Sequence, residues 1–525
     1  MKNVHVFSLS IKGGDEKMNF GNLHERLQIY AKNRPNDVAV IYGDTNRTYL
    51  ELYERVNALA NSLIEAGVKK GTHVVLYMKN RIEMLEALYA LSTAGAVAVP
   101  VNYMIEGNDL RTLVNSSDAT HAIVETEKLA AYETVLDVLH TITANSTIII
   151  GGTALSSIYL DYEKLISNGS TEPPNIEVTG KDVAAMIYSS GTTSLPKGIL
   201  FTHETMIYRA FIGATEWKLN FGDTVLISVP MYHSVGHLFS FYIGLTGTKL
   251  VITRDFDPRD TLSKIQNEKI TFAFFVPTQY VMMLQVPDFD DFDLSSLKML
   301  LCAAAPLAES VKKRIIEKFK TNLSEFFGCS ETSAFIILRP DDVIRKTSSV
   351  GQQCAFFQVR LVDDEGIDVG VGEEGEFVVR GAGLFSEYYK LPEEMEKSFL
   401  PGGWFKTGDM GKVDDEGFYY LLDRKKDMII SGGVNIYPKD IEDVLFTHPD
   451  ILDAAVIGIA DEKWGEAVKA VVVLKSDSDI DEKQLLDFCN SKLAKYQNIK
   501  VLEAAPSLPR NPSGKILKRE LRLRS

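Results

Sequence analysis

The chain has 525 residues, which is long enough for a large core and more than one domain. With 45 % hydrophobic and 24 % charged residues, its composition is that of a soluble globular protein. The formal net charge of −15 argues against a nucleic-acid-binding protein, so local positive groups must bind any anionic substrate.

Residues 1–19 are interpreted as an N-terminal extension, because their apolar stretch is too short and too poorly flanked for a secretion signal. The most apolar window, residues 87–101, is too short for a membrane-spanning helix, so no integral membrane segment is expected. The four cysteines show neither a Cys-x-x-Cys pair nor zinc-type spacing. These features predict a reduced, cytoplasmic protein.

Helical and strand patterns alternate from residue 20 to about residue 303. The first round predicts helices at 22–32, 50–66, 81–94 and 110–116, with strands at 73–78, 97–101 and 121–124. The second predicts strands at 183–188, 224–229, 271–275 and 298–303, with helices at 203–216 and 260–267. Such alternation is typical of parallel sheets with helical crossovers, and it predicts two α/β subdomains.

The strand at 183–188 runs into the segment Tyr-Ser-Ser-Gly-Thr-Thr-Ser-Leu-Pro-Lys-Gly. Backbone N–H groups of a glycine-containing turn, several hydroxyls and a lysine suit a polyphosphate. The segment is not a Walker sequence, because Lys197 is followed by Gly198. An ordinary polar loop is the alternative interpretation. The candidate phosphate-binding residues are Ser189, Ser190, Gly191, Thr192, Thr193 and Lys197.

Three further segments follow strands or contain small and polar residues: 230–237 (Pro-Met-Tyr-His-Ser-Val-Gly-His), 303–305 (three alanines) and 326–332 (Phe-Phe-Gly-Cys-Ser-Glu-Thr). Taken alone, each has an ordinary explanation. His233 would be a packed or surface histidine, the alanines a buried strand end, and Glu331 a carboxylate at a helix start.

After about residue 348 the pattern changes to short strands with Gly and Asp turns, which predicts a small β-barrel-like subdomain. A Thr-Gly-Asp segment, which is an ordinary turn in most proteins, ends at Asp409, whose carboxylate can accept two hydrogen bonds. The charged residues 423–427 are typical of a linker. The sequence therefore predicts an N-terminal domain at 20–422, a hinge at 423–427 and an α+β C-terminal domain at 428–525.

These motifs, taken in order from about residue 20 to residue 523, resemble those of the adenylate-forming superfamily. Its members are acyl-CoA synthetases, adenylation domains of peptide synthetases and luciferases, and the resemblance is closest to fatty-acid–CoA ligases. It implies an α/β fold with a small, mobile α+β C-terminal domain. It also implies that ATP, with Mg²⁺, activates a small-molecule carboxylic acid to an acyl-adenylate, which coenzyme A then converts to a thioester.

The resemblance implies roles for individual residues. The catalytic residues would be Lys515, Thr192, Thr193, Glu331 and His233, with Glu331 also near the metal. The nucleotide would contact the phosphate-binding residues and also Ala303, Ala304, Ala305, Phe327, Gly328, Ser330, Asp409 and Arg424. The acyl pocket would include His233, Val235, Gly236 and Gly328; Gly432 and Gly433 would contact coenzyme A, and Lys426 would be the hinge.

The chain departs from the family pattern at a few positions. Alanines stand at 303–305, where relatives usually carry glycine, and Phe327 and Ser330 replace tyrosine and threonine. Residues 496–498 read Tyr-Gln-Asn where relatives often have Lys-x-Pro. The last departure bears on contacts with coenzyme A rather than on adenylation.

The resemblance favours a medium- or long-chain fatty acid, because family members restricted to acetate close the pocket with an aromatic residue at the position of Gly328. An aryl acid or a dicarboxylate is the alternative. A malonate-type dicarboxylate would need an arginine in the pocket, and the sequence does not place Arg209 there. Two other hypotheses are a loader of a separate carrier protein and a silent nucleotide sensor; the presence of Glu331 and Lys515 argues against the sensor. A homodimer is possible.

Overall fold

The structure is a computed structural model that describes residues 21–152, 158–188, 196–305, 307–432, 434–475, 478, 480–510 and 516–524. Seven of the predicted site residues lie outside this part of the chain: Ser189, Ser190, Gly191, Thr192, Thr193, Gly433 and Lys515. Their roles stay predictions from the sequence.

Residues 23–168 alternate helices with strands, as predicted. The elements are α1 (Leu23–Asn33), β1 (Val38–Tyr42), β2 (Thr45–Thr48), α2 (Tyr49–Glu65), β3 (His73–Tyr77), α3 (Ile82–Thr93), β4 (Val97–Pro100), α4 (Gly107–Ser116), β5 (His121–Glu125), α5 (Thr126–Leu136), β6 (Thr147–Ile150), β7 (Leu160–Asp161) and α6 (Tyr162–Asn168). Capping boxes begin α1 and α2, at Asn22 and Thr48.

The alternation continues to residue 353. The elements are β8 (Val183–Tyr188), β9 (Gly198–Thr202), α7 (His203–Glu216), β10 (Thr224–Ile227), α8 (Ser234–Phe239), α9 (Tyr242–Thr246), β11 (Lys249–Ile252), α10 (Pro258–Asn267), β12 (Phe272–Phe275), α11 (Pro277–Met283), β13 (Met299–Cys302), α12 (Glu309–Phe319), β14 (Asn322–Cys329), β15 (Ser333–Leu338) and β16 (Gln352–Gln353).

Strands outnumber helices in the rest of the described chain. The elements are β17 (Phe357–Val362), β18 (Gly375–Gly381), β19 (Glu387–Tyr388), α13 (Pro392–Ser398), β20 (Phe399–Leu400), β21 (Trp404–Val413), β22 (Tyr419–Arg424), β23 (Ile429–Ser431), β24 (Val434–Ile436), α14 (Pro438–Leu445), β25 (Ile451–Asp461), β26 (Gly465–Leu474), α15 (Glu482–Lys492), β27 (Val501–Ala504) and α16 (Lys518–Leu523).

Within the described residues the strands form four sheets. One has the order β19-β9-β8-β4-β3-β5-β6-β7 and another the order β16-β15-β14-β13-β12-β10-β11-β1-β2, both with parallel centres. A third, antiparallel sheet joins β17, β18, β20, β21 and β22, and a fourth joins β23 to β27. The predicted α/β class with a small C-terminal α+β domain is confirmed.

The largest cluster of buried apolar side chains lies between the two large sheets. Leu27 of α1, Leu59 of α2 and Leu88 of α3 are buried there with residues of both sheets. Each such side chain stabilises the fold by about 1.5–3 kcal/mol relative to an exposed one. Among the described residues, none of the helices is long and apolar enough to cross a membrane.

The structure differs from the predicted elements at the sheet edges and at the hinge. Strand β9 runs antiparallel to β8, because the connection after Tyr188 is shorter than the dozen or so residues that a parallel crossover needs. The β1–β2 hairpin, which the sequence analysis did not identify, extends the second sheet through β11. Asp423 and Arg424, assigned to the hinge, are the last two residues of β22.

Candidate active site

Four of the predicted site segments follow the carboxyl ends of strands in the two large sheets. Strand β8 leads into the phosphate-binding segment, β10 into residues 230–237, β13 into the alanines and β14 into Glu331. In open α/β sheets, ligands bind outside the carboxyl ends of the strands. The topology therefore gathers segments that are far apart in the sequence.

Lys197 lies at the end of the phosphate-binding segment, next to strand β9. Its ammonium is 2.6 Å from Oε2 of Glu394 and 4.9 Å from the ring centroid of Tyr388. At the other end of the segment, the hydroxyl of Tyr188 is 2.9 Å from the hydroxyl of Ser116. The β8–β9 pairing brings Tyr188 opposite Gly198, so the ends of the segment are held together.

Glu331 lies in the turn between β14 and β15, and three groups hold it. Its carbonyl accepts hydrogen bonds from Nη2 of Arg209 at 2.6 Å and from the N–H of Phe385 at 2.8 Å. The hydroxyl of Tyr388 donates to its carboxylate Oε1 at 2.9 Å. The neighbouring Ser330 is half-buried. Neither Arg209 nor Tyr388 lies in a motif, so the sequence alone gives neither residue a place in the site.

Arg209, on α7, is 3 % exposed. Its Nε donates to the carbonyl of Gly383 at 2.7 Å, and its guanidinium lies 4.2 Å from the ring centroid of Phe201. Burial lowers the pKa of Arg209 to about 9. Arg209 therefore joins the Glu331 turn to the segment at 383–385 through backbone carbonyls.

The backbone around Gly328 leaves no room for a side chain at this position. A Cβ atom at this position would lie 1.8 Å from the carbonyl oxygen of Ser333, at a β-bulge in the β14–β15 pair. The adjacent Phe327 is half-buried, with its ring centroid 5.2 Å from that of Phe335 and 5.4 Å from that of Phe377. The bulge requires a glycine here whatever the size of the acyl pocket.

Asp409 and Arg424 pair directly across the β21–β22 ladder. Nε of Arg424 is 2.7 Å from Oδ1 of Asp409, and Asp409 is 4 % exposed. Burial alone would lower the pKa of Arg424, but Asp409, with Glu331 and Cys329 nearby, raises it above its usual value. The charges of Asp409 and Glu331 therefore both act on the guanidinium of Arg424.

The three alanines after β13 differ in exposure. Ala303 is buried, whereas Ala304 and Ala305 are exposed. Ala304 has a φ of 76°, in the left-handed region that favours glycine. The glycine usual in relatives would adopt this conformation without strain.

Asn80 holds the turn that carries His233. Its side-chain amide donates to the carbonyls of Val229 and Thr253, at 2.9 and 3.2 Å, and accepts from the N–H of Met231 at 2.7 Å. His233 is half-buried and precedes α8, and burial lowers its pKa. Asn80 is a positioning residue that lies outside the motifs.

Val235 and Gly236 are the other residues predicted for the acyl pocket on α8. Val235 is half-buried and Gly236 is buried. A Cβ atom at 236 would lie 2.3 Å from the carbonyl oxygen of Pro230. As at Gly328, the backbone itself requires this glycine.

The hinge and the C-terminal residues lie after β22. Lys426 is in a turn, and the adjacent Asp427 pairs with Nη2 of Arg522 at 2.9 Å. Gly432 has a φ of 60°, and a Cβ there would lie 2.7 Å from the indole ring of Trp464. Its N–H donates to the carbonyl of Trp464 at 2.7 Å. Gly432 thus packs beneath an indole that is 47 % exposed.

The described residues contain no cluster of three or more His, Cys, Asp or Glu side chains arranged to hold a metal by themselves. Mg²⁺ that is bound with a nucleotide usually takes one or two carboxylates, together with phosphate oxygens and water. Glu331, an acidic residue near Arg424 and close to Tyr388, fits that pattern.

Three comparisons place the chain among known proteins. The family model described as AMP-binding enzyme matches residues 27–389, and that of the AMP-binding enzyme C-terminal domain matches residues 440–515. A feruloyl-CoA synthase of Amycolatopsis sp is 34 % identical over 495 residues, which cover 94 % of this chain and 97 % of that protein.

The long-chain-fatty-acid–CoA ligase FadD13 of Mycobacterium tuberculosis is 33 % identical over 482 residues, which cover 91 % of this chain and 93 % of that protein. The solved structure of the anthranilate CoA ligase AuaEII, in complex with anthranoyl-AMP, matches with a TM-score of 0.87 and 27 % identity. That match covers 97 % of this chain and 98 % of the other.

Proposed function

We propose, for a chain that belongs to the AMP-binding enzyme family, that this site joins an apolar organic acid to coenzyme A in two half-reactions. Its relatives are CoA ligases of acyl and aryl acids, and the chain is an AMP-forming CoA ligase that uses ATP and coenzyme A. The ion pair of Asp409 and Arg424 beside Glu331 is the observation that carries the proposal.

In the first half-reaction, a carboxylate oxygen of the acid attacks the α-phosphorus of ATP. A bond forms between that oxygen and phosphorus, the bond to the β-phosphate bridge breaks, and pyrophosphate leaves with the electron pair. Charge builds on the phosphate oxygens, so fixed cations and hydroxyls supply most of the stabilisation. Lys197, Lys515, Thr192 and Thr193 are the groups proposed for this task.

The nucleotide is held by groups that the fold has already positioned. Asp409 accepts hydrogen bonds from the hydroxyls of the ribose. The same carboxylate fixes the guanidinium of Arg424, which faces ribose or phosphate. Phe327, Ala303, Ala304 and Ala305 pack along adenine, and Ser330 contacts phosphate. Mg²⁺, when bound with ATP at Glu331, neutralises part of the phosphate charge.

In the second half-reaction, the sulfur of coenzyme A attacks the acyl carbon of the adenylate. A carbon–sulfur bond forms, the thiol gives up its proton, and AMP leaves as its bond to the acyl carbon breaks. Gly432 and Gly433 are proposed to let the pantetheine arm pass, while Lys515 serves the first half-reaction. We propose that the C-terminal domain rotates about Lys426 between the two steps.

A medium- or long-chain fatty acid is the proposed acid. Val235, Leu238 and Phe239 on α8 are apolar, and residues 230–237 contain no carboxylate that would bind a substrate ammonium group. The relative that is a long-chain-fatty-acid–CoA ligase supports the same class. Gly328 is not counted as support, because the bulge explains it.

An aryl acid with polar substituents is the second candidate, and His237 favours it. This residue lies one helical turn after His233 and is fully buried, and neither ring nitrogen has a hydrogen-bond partner among the described residues. A buried polar atom without a partner costs about 1–3 kcal/mol, which a substrate hydroxyl or carbonyl would offset. The feruloyl-CoA synthase that resembles this chain acts on such an acid.

A panel of acids, from acetate to oleate and including benzoates and cinnamates, tests the proposal. Pyrophosphate release with and without coenzyme A separates the two half-reactions, and thioester formation with free coenzyme A tests whether a carrier protein is needed. We expect the highest kcat/KM with fatty acids of medium or long chain. A preference for hydroxylated cinnamates that His237→Leu abolishes would favour the aryl alternative. Failure of every acid to release pyrophosphate would contradict both.

A further inference from the structure

Tyr388 contacts two residues that come from different strand ends of the site. Its hydroxyl donates to Oε1 of Glu331 at 2.9 Å, and the ammonium of Lys197 lies 4.9 Å from its ring centroid. The residue is 5 % exposed. It therefore lies between the carboxylate proposed for the metal and the lysine proposed for the phosphates.

We propose that Tyr388 is a positioning residue that orients the carboxylate of Glu331 toward magnesium-bound ATP. Its hydroxyl holds Oε1 of the carboxylate, so that the carboxylate would be presented in one orientation to a metal ion. The inference rests on the proposed function, because it takes the role of Glu331 from there.

The backbone around Tyr388 explains why its position is fixed. Strand β19 pairs antiparallel with β9, with Tyr388 opposite Ile199. The N–H of Tyr389 donates to the carbonyl of Gly198 at 2.8 Å, and the N–H of Phe385 donates to the carbonyl of Glu331 at 2.8 Å. The segment thus holds both the backbone and the side chain of Glu331, and it is itself tied to the residue that follows Lys197.

The chemistry of the contact suits an orienting role. A tyrosine hydroxyl is protonated at neutral pH, so Tyr388 can donate its proton in the hydrogen bond to the carboxylate of Glu331. Hydrogen-bond partners of metal ligands fix the ligand's orientation, and their loss typically costs about 10- to 100-fold in metal affinity or activity. The Lys197 ammonium over the ring adds a cation–π contact.

The neighbouring tyrosine provides a matched control. The hydroxyl of Tyr389 donates to Oδ2 of Asp118 at 2.6 Å, so it makes a similar hydrogen bond to a carboxylate outside the site. Tyr388→Phe and Tyr389→Phe each remove one hydroxyl and keep the ring. The side chain of Ser398 also acts on the Tyr388 hydroxyl, lowering its pKa, so Ser398→Ala tests that influence separately.

Two measurements decide the role. Mn²⁺ binding in the presence of a non-hydrolysable ATP analogue, followed by electron paramagnetic resonance, reports on the metal site without turnover. Pyrophosphate release as a function of Mg²⁺, ATP and acid reports on catalysis. We expect Tyr388→Phe to weaken Mn²⁺ binding at least about tenfold and to raise the Mg²⁺ requirement similarly, with the KM for the acid unchanged. Tyr389→Phe and Ser398→Ala should stay near wild type.

The inference is overturned if Tyr388→Phe binds Mn²⁺ as wild type does, or if Tyr389→Phe weakens binding equally. Glu331→Gln provides the second test. If Tyr388 acts through Glu331, then adding Tyr388→Phe to Glu331→Gln causes no further loss, whereas independent effects would multiply. If the wild-type protein releases pyrophosphate and Tyr388→Phe does so equally well, only this inference is overturned. If the wild-type protein never binds Mn²⁺ with the analogue, the proposed function is overturned as well.

Discussion

Ala304 is the residue whose backbone departs most clearly from what its side chain prefers. With a φ of 76° it occupies the left-handed region, which costs a non-glycine residue about 1 kcal/mol. We expect Ala304→Gly to raise the free energy of unfolding by up to about 1 kcal/mol, because relief of the strain exceeds the greater chain entropy of glycine in the unfolded state. Chemical denaturation measures the change.

Ala305→Gly is the control for that prediction. Ala305 is exposed like Ala304, but its φ is not positive, so glycine there brings only the entropic cost and should lower stability. A loss of stability in both variants would contradict the account of strain at Ala304.

Asp409 offers a test of the nucleotide site. Asp409→Asn removes a charged acceptor for the ribose and leaves Arg424 without its ion-pair partner. A hydrogen bond to a charged group contributes about 1.5–3 kcal/mol, so the KM for ATP should rise by at least about tenfold, with the KM for the acid little changed. Steady-state kinetics with each substrate varied in turn measures both constants.

Asp415→Asn, at an exposed carboxylate in the same subdomain, is the matched control and should leave both constants unchanged. An equal rise in the two KM values of Asp409→Asn would point to general damage to the fold instead. Melting midpoints of both variants identify such damage, because Asp409→Asn also leaves the partly exposed guanidinium of Arg424 without its ion-pair partner.

At the scale of single residues, motifs predicted Glu331, Asp409 and Arg424, because the chemistry of nucleotide binding restricts the residue types at those positions. Tyr388, Arg209 and Asn80 were not predictable in this way. They act by holding the backbone or the side chain of another residue, and only the folded chain shows that neighbour. Gly328 shows the opposite case. Its lack of a side chain was interpreted as evidence of an open acyl pocket, but the nearby backbone already excludes a side chain there.

Among the elements, the turn between β22 and β23 carries the proposed rotation. Its hydrogen bonds use the N–H groups of Lys425, Asp427 and Met428, and burial lowers the pKa of Lys426. Lys426→Pro fixes φ at one value and should obstruct rotation. We expect thioester formation to fall by at least about tenfold while pyrophosphate release without coenzyme A stays near wild type. Rapid-quench measurement of each half-reaction separates the two.

Lys426→Ala is the control for the hinge, because it removes the ammonium and leaves the backbone free to rotate. It should keep both half-reactions within a few-fold of wild type. Thioester formation in Lys426→Pro as fast as adenylate formation would contradict the proposed rotation.

The long periodic helices and the central strands were predictable, because their apolar spacing is set by burial between two layers. The helix at 203–216 agrees with α7 at both ends. The edges were harder to predict. Strands β9 and β19 pair antiparallel through residues far apart in the sequence, and the short β19 has no periodicity of its own.

The stability of the whole molecule should depend on pH through three buried histidines. Burial lowers the pKa of His24 and His203 to about 4 and that of His237 to about 3. The unfolded chain takes up protons at an ordinary histidine pKa of about 6.5, whereas the folded chain does not. As pH falls from about 6.5 toward 4, each of these histidines should therefore lower the free energy of unfolding by up to about 1.4 kcal/mol per pH unit.

His24→Phe isolates one of these contributions. The His24 ring stacks on Tyr53 with centroids 5.5 Å apart, and phenylalanine keeps this stacking while removing the titration. Across this pH range the slope of stability against pH should become shallower, and the exposed His140→Gln should leave it unchanged. An unchanged slope in His24→Phe would contradict the assignment. Denaturant titrations at several pH values provide the measurement.

For the whole molecule, we expect the chain to form an acyl-adenylate and pyrophosphate reversibly at one site. The most direct test is exchange of labelled pyrophosphate into ATP with Mg²⁺ and the best acid of the panel, in the absence of coenzyme A. We expect exchange that depends on the acid and that Lys515→Ala lowers by about a hundredfold or more. Exchange that does not require the acid, or that Lys515→Ala leaves intact, would contradict the account.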